Sequence, residues 1–484
     1  KYHRITQKVL ITFFCCELEI LFNGWKYTKF CLAYLLRKLR KSSINRIYEH
    51  VLLEVDNNVF VTTLQVNNII ANGVLKFGLD VEQEIHRTRG VSLIEQRDNI
   101  VLSPTSLAAI LAIVLAGSAG RTFDEASKVL GLEAGIDISQ NSEVVHQMFG
   151  VLLSQLQSKE SAGILLPQLN FATAAYVKTN VKEIYQTDIF NVDFAKNGKG
   201  AEEMINMWVR QKTKGKITSI LNHTPGPETA MILLSALYFN GEWDQYFLDG
   251  ATKRPFFIEP NETVNVNMMY NGGTFPFYLD KKLGAKIIGF PYKGRELSNN
   301  VILFQFKISY SRAKALREFK NKLTVDIIEN LIKNVKNETC IVGFPRMKLS
   351  TSLSLRPTLA ALGLESLFDP LTADLSLISQ PNAVTNMNGR NQTNNRENQV
   401  KRVVCANLVN PHLFATDVLQ KVEIDITEKG TEAAAVTGVV LERDGSQKKF
   451  IANRPFIFFI RHDPSKLVLF WGTINVPTPN YPTT

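Results

Sequence analysis

Residues 428–440 read EKGTEAAAVTGVV, thirteen residues with almost no bulk, followed at 441–449 by the charged patch LERDGSQKK. The stretch is too poor in polar residues for a linker and too small for a core. Laid out as a strand, its side chains alternate between two faces. One face carries Thr431, Ala433, Ala435, Thr437, Val439 and Leu441, uncharged throughout. The other carries Glu432, Ala434, Val436, Gly438, Val440 and Glu442, charged at its two ends. A flexible alanine-rich loop has no need of such alternation. A segment that enters a sheet does.

The rest of the chain must supply that sheet. Its 484 residues are 45% hydrophobic, enough for a sizeable core, and no apolar run reaches the 18 residues of a spanning helix. The net charge of +10 is concentrated at the start, where residues 1–50 hold ten Lys/Arg against Glu17, Glu19 and Glu49, a local +7. The remaining body carries +3, which gives no footing for nucleic acid, and a heparin-type cofactor is not expected. Residues 1–60 read as an N-terminal arm or signal-like region, and 61–484 as one domain. "VLITFFCC" (9–16) could be the apolar core of a leader, but "ELEILF" follows where small cleavage-site residues should stand. Cys15, Cys16, Cys31, Cys340 and Cys405 show no zinc spacing and no settled pairing. The sequons at Asn222, Asn261, Asn337 and Asn391 suggest a secreted glycoprotein.

Along the body, Leu64, Ile69, Val74, Phe77, Val81 and Ile85 recur at helical spacing. "NIVLSPTSLAAILAIVLAG" reads as a short strand, a cap at Ser103 with Pro104 in the first turn, and a helix buried all round. Strand-like runs lie at 231–239, 285–292, 301–306, 340–349, 421–426, 455–460 and 467–474, with a helix over 201–213 among them. Residues 380–402, QPNAVTNMNGRNQTNNRENQVKR, read as a polar insertion within a loop. No HExxH, GxSxG, Walker A or GxGxxG occurs. No cofactor or metal is expected, and nothing in the chain supports an enzyme.

These segments resemble, in order and spacing, the serpin family. "EKGTEAAAVT" is similar to the hinge of an inhibitory member's reactive-centre loop. "NIVLSPTSLAAILAIVLAGSAGRTFDEASKVLG", "INMWVRQKTKGKITSIL", "LLSALYFNGEWDQYF", "AKIIGFPYKG", "LRPTLAALGLESLFDPLTADLS" and "NRPFIFFIRHDPSKLVLFWGTINVP" match as well, across 64–477. The resemblance implies a mixed α/β domain with three β-sheets, eight or nine helices, and an exposed loop above a five-stranded sheet. It implies a monomer that inhibits serine proteases as a suicide substrate. The protease attacks the loop, an acyl-enzyme forms, and the cut loop inserts as a new central strand before water can release it. From Gly430 to Asp444 is fourteen steps, about 46 Å of strand. Pairing its amides on both sides could release on the order of 10 kcal/mol, so the intact fold would be kinetically held.

Residue by residue, the resemblance makes Glu428, Gly430, Thr431, Glu432, Ala433, Ala434 and Ala435 the hinge, and Leu441 and Glu442 part of the bait. From Gly430 to Pro455 is 25 residues, the usual family length, which places the cut between Asp444 and Gly445. That register suits an Asp-specific protease of the caspase or granzyme B type. A shift of one residue places it after Arg443, and the commonness of trypsin-like targets favours Arg443, with Leu441 a third choice. Ser103, Pro104 and Ser106 match the shutter over which the sheet opens, and Trp243 matches the Trp near its top. The shutter's usual Asn and His are here Ser235 and Gln420, which cannot supply the same imidazole link. A non-inhibitory carrier or chaperone is the main rival; such members commonly have bulky, charged or proline-containing hinges, whereas Thr431, Ala433 and Ala435 are small.

Overall fold

A computed structural model describes residues 45–88, 98–131, 150, 168–174, 192–304, 311–376, 413–430 and 448–479, with side chains of the first helix described from residue 67. The chain divides into two units, Lys1–Gln65 and Val66–Thr484. Everything below concerns the larger one. The arm, the insertion at 380–402 and the segment 431–447 lie outside the described residues.

Helix α1 (Asn45–Thr88) brings Val74, Phe77, Val81 and Ile85 into the core, as their spacing predicts. Strand β1 (Ile100–Leu102) leads into α2 (Pro104–Gly117), which is buried on nearly every side because Leu, Ile, Val and Ala occupy its whole circumference. Gly78 makes the α1–α2 approach: a Cβ there would lie 2.6 Å from Pro104 Cγ. Helix α3 (Gly120–Val129) and strand β2 (Gln168–Ala174) follow. Then comes α4 (Phe194–Lys212), capped by Asp193, whose carboxylate accepts from Lys196 N at 2.9 Å. It begins seven residues before the expected 201, in a glycine-bearing stretch with weak helical pattern.

Strands β3 (Ile232–Asn240), β4 (Thr252–Glu259), β5 (Glu262–Asp280), β6 (Ala285–Pro291) and β7 (Leu297–Phe304) precede two short helices, α5 (Arg312–Lys320) and α6 (Val325–Lys333). The run expected as one strand over 340–349 is two, β8 (Lys336–Pro345) and β9 (Met347–Ser354), broken at Arg346. Helix α7 (Arg356–Ala361), β10 (Asp417–Ile426), β11 (Lys448–Ile451), β12 (Phe456–His462) and β13 (Leu467–Ile474) complete the order.

The strands form a nine-stranded assembly, β1-β13-β12-β7-β6-β5-β8-β11 with β4 on β5, and a four-stranded sheet, β2-β3-β10-β9. The larger assembly is continuous only through β5. That strand pairs β6 over its last four residues and β4 and β8 over the rest. It therefore reads as two sheets sharing one long strand, three in all among the described residues. The smaller sheet has four strands among the described residues where the resemblance implied five. β12 and β13 are buried along their whole length, and α2 lies against β13 and β3. A smaller core covers the other face of the four-stranded sheet. There Ile205, Trp208 and Val209 of α4 meet Leu234 and Ala236 of β3, with Leu419 of β10 packed against them.

Candidate functional site

The site is the seam between β3 and β10. These neighbours run parallel and pair from Asp417↔Ile232 to Ile424↔Phe239, eight register pairs. Leu419 stands opposite Leu234, so the apolar cover under α4 lies across both sides of the seam.

On the opposite face, Gln420 stands in register with Ser235. The Gln420 amide donates through Nε2 to Ser106 Oγ at 2.8 Å and to Ser103 O at 3.1 Å, while its Oε1 accepts from Ser103 N at 3.0 Å. Ser235 donates to Ser106 Oγ at 2.8 Å, and Ser106 Oγ in turn donates to Ser103 O at 3.3 Å. Ser103 also caps α2, accepting from Ser106 N at 3.3 Å. All four side chains are fully buried. The cluster exists because Ser103 and Pro104 start a helix directly beneath the sheet, leaving that helix's first polar groups to find partners inside the protein. Gln420 supplies no imidazole, but its amide makes three hydrogen bonds, two donated and one accepted.

At the end of the seam, the chain reverses. Thr427 and Gly430 exchange N–H···O bonds at 3.1 and 3.2 Å. Gly430 has φ of +99°, and a Cβ there would come within 2.1 Å of Gly241 O. Only glycine fits both the conformation and the space. Trp243, 1% exposed, donates through Nε1 to Thr427 O at 2.9 Å and stacks on Tyr292 with ring centroids 4.5 Å apart. Phe247 N donates to Glu428 O at 2.9 Å. The Glu428 carboxylate meets Arg346 at 2.5 Å, and both are buried. Sequence reasoning placed Glu428 but missed Arg346; a lone Arg inside the apolar run "GFPRMKL" was the available signal.

Thus Ser103, Pro104, Ser106, Ser235, Trp243, Gln420, Glu428 and Gly430 line the seam and the turn beyond it. Thr431, Glu432, Ala433, Ala434, Ala435, Leu441, Glu442, Arg443, Asp444 and Gly445 lie outside the described residues. The described chain resumes at β11, whose Lys448 pairs in register with Cys340 of β8. Burial raises the Cys340 thiol to about 11, so it stays protonated and inert. Among the described residues no group of three metal-ligating side chains gathers, and no helix is long and apolar enough to cross a membrane.

The chain is similar to known proteins in sequence and in fold. The family model described as "Serpin (serine protease inhibitor)" matches residues 72–477. Serine protease inhibitor 28Dc of Drosophila melanogaster is 32% identical over 453 residues, covering 86% of this chain and 80% of that protein. The leukocyte elastase inhibitor of Bos taurus is 32% identical over 385 residues, covering 78% and 93%. Among solved structures, uncleaved ovalbumin superposes with a TM-score of 0.68 at 22% identity, over 84% of this chain and all of the other. Serpin48 of Tenebrio molitor gives 0.64 at 26% identity, over 85% and 99%. A family model spanning most of the chain and relatives matched over most of their length leave one conclusion: the chain belongs to the serpin family.

Proposed function

We propose that this protein inhibits serine endopeptidases, of trypsin-like specificity, by trapping them covalently during cleavage of its own loop. The observation that carries the reading is the direction of the strands. β3 and β10 are parallel, and the chain leaving β10 reverses at Thr427–Gly430. A strand continuing from that turn between them would run antiparallel to both, and could pair its amides on either side. Insertion replaces one ladder of eight register pairs with two. At about 0.5–1.5 kcal/mol net per added hydrogen bond, the gain is on the order of 10 kcal/mol.

The chemistry is the protease's own. Its serine oxygen attacks the Arg443 carbonyl carbon, the Asp444 amine leaves with a proton, and an ester joins the two proteins. Insertion then carries the ester away before water completes the reaction. The small residues Thr431, Ala433 and Ala435 support inhibition over a carrier role, because a bulky hinge would block entry. The sequons support a secreted protein: Asn222, Asn261 and Asn337 are all exposed. A second reading, an Asp-specific target, rests on the loop length, which places the cut after Asp444.

The test is to mix the protein with trypsin. An adduct should survive boiling in detergent and release a C-terminal fragment beginning at Asp444, read by mass spectrometry. An adduct formed only with Asp-specific proteases, with the fragment beginning at Gly445, selects the second reading. Cleavage by every protease tried, with no adduct, overturns both.

A further inference from the structure

Three cations, Lys286, Arg312 and Arg454, gather beside β11, on which Lys449 is exposed, and among the described residues none of the four forms an ion pair. Lys286 of β6 donates through Nζ to Lys449 O at 3.1 Å. Arg454 donates through Nε to Phe304 O at 3.1 Å, and Phe304 is the register partner of Ala285, next to Lys286. Arg312 donates through Nη1 to Phe257 O at 2.7 Å and lies 5.2 Å from the centre of the Phe257 ring. Phe257 N donates in turn to Asn453 O at 2.8 Å, one residue before Arg454. Lys286, Arg312 and Arg454 are therefore held by backbone carbonyls, which position a cation without cancelling its charge.

One carboxylate, Glu259, partly offsets Arg312 through its field while accepting from Ser311 Oγ and the backbone N–H groups of Arg312 and Ala313, which leaves Lys286, Lys449 and Arg454 as the uncompensated charges among the described residues. The neighbouring Lys448 is different, paired with Glu338 at 2.6 Å. Burial and then the nearby Arg454 lower the Lys286 ammonium, and burial and then Arg312 lower Arg454 to about 10. Such a group gains from an incoming anion, because each cation already destabilises the next.

Its place says which anion. Lys449 is five steps along the chain from Asp444, at most about 18 Å. A protease domain of ordinary size is about 40 Å across, so one seated on the bait covers this ground. The cations gather at one spot rather than along a stripe, which suits a few carboxylates on a docked body better than an extended polyanion.

We propose that Lys286, Lys449 and Arg454, with Arg312 behind them, form an exosite for an acidic patch on the target protease. The proposal rests on the inhibitory reading above for its partner, and its test separates the two. Anionic and cationic trypsin isoforms share specificity and differ in surface charge. With both chemically inactivated at the catalytic serine, docking is read without acylation. The intact protein should dock the anionic form about tenfold faster at low salt, an advantage that vanishes near 1 M salt, where screening reaches ~3 Å. The double variant Lys286→Gln/Lys449→Gln should lose the advantage, while Lys196→Gln/Lys348→Gln, at exposed positions elsewhere, should keep it. A ten-residue oligoglutamate should bind the intact protein at low salt and lose about tenfold in the first variant. An unchanged preference in that variant, or no oligoglutamate binding, overturns the exosite. A sulfated oligosaccharide that outcompetes oligoglutamate for the same lysines and speeds inhibition overturns the assignment to a protease. If docking follows this pattern but active trypsin is never trapped, the exosite stands and the inhibitory reading falls.

Discussion

The carboxylate of Glu428 and the guanidinium of Arg346 are 2.5 Å apart, 6% and 2% exposed, and they join two corners of the fold. Arg346 stands at the break where the chain passes from β8 of the larger assembly to β9 of the smaller sheet, its N–H donating to Asn267 O at 2.8 Å. Glu428 stands in the turn that ends the seam. Removing one partner of a buried pair leaves the other's charge poorly compensated. Glu428→Gln should therefore lower the unfolding free energy by about 3 kcal/mol, and Glu428→Lys by more. Urea titration of the intact protein measures both. Equal midpoints for wild type and Glu428→Lys would show that the pair holds nothing.

Gln420 ties β10 to the start of α2 through three hydrogen bonds. Gln420→Leu keeps much of the volume and strands Ser103 N–H in a dry interior, while Ser103 O keeps Leu107 N and Ser106 Oγ as donors, at a cost of about 2 kcal/mol. The loss falls on the closed seam. Under the proposed insertion mechanism, the variant should pass to a loop-inserted form faster than wild type on warming, seen as growth of a species resistant to high urea. Ser235→Ala, which deletes one hydroxyl and leaves Gln420 in place, should have a smaller effect. The reverse order would mean that Ser235, not Gln420, is the stronger tie.

Acid sensitivity should centre on another cluster. Glu82 of α1 is buried and accepts from Trp471 Nε1 at 2.8 Å and Lys320 Nζ at 3.0 Å, with the Thr473 hydroxyl also bonded to it. Burial alone would raise its carboxyl; the Lys320 ammonium, then His86 and Thr473, outweigh burial and hold it far below the ordinary range. A carboxylate depressed in the native state stabilises above its unfolded value near 4.3 and loses that contribution as pH falls. Urea midpoints should begin to drop near pH 5 and keep falling as the pH is lowered further, because the folded carboxyl lies far below the ordinary range. Glu82→Gln should flatten that drop and cost about 3 kcal/mol at pH 7. His462, kept below its usual value by burial, should add a separate loss starting near pH 6.5 that persists in the variant. A Glu82→Gln protein with an unchanged acid limb would assign the limb elsewhere.

The alternation in 431–442 makes a prediction about the outcome of cleavage. Under the insertion mechanism, the Thr431 face must pass beneath the sheet and the Glu432 face need not. Thr431→Arg would bury a charge without a partner, at several kcal/mol, and slow the first step of entry. It should leave a protein that is cleaved as fast as before but releases the protease. Glu432→Arg should keep most of the trapping. The ratio of cleaved to trapped product for the two variants decides it, and equal ratios would remove the mechanical role assigned to the alternation.

Most of the fold was legible because its strands are long buried runs. "LVLFWGTI" is β13 residue for residue, and "MILLSALYF" is β3 shifted by one. The start of α4 was hidden because Gly198 and Gly200 dilute its first turns, and the Asp193 cap precedes any apolar periodicity. The break at Arg346 was hidden because a bend between two strands leaves no mark when both flanks are strand-like. Ser103 and Pro104 announced the helix start. Nothing in the sequence told that the Gln420 amide is long enough to reach both the Ser103 backbone and Ser106. The cations at 286, 312, 449 and 454 were illegible for a related reason: they are far apart in the chain, and only the return of β11 beside β8 gathers them.

The bonds among Ser103, Ser106, Ser235 and Gln420 join groups that neither gain nor lose a proton at any pH a cell or body fluid reaches. Parting β3 from β10 at that point therefore costs the same in an acidic vesicle as in blood-like fluid. The charged partners sit elsewhere, at Glu82 and at Glu428. Acidity can shorten the life of the folded protein through the first of these, yet it has no grip on the central tie of the seam. Endurance and readiness are thus written in different chemistries, one that titrates and one that does not.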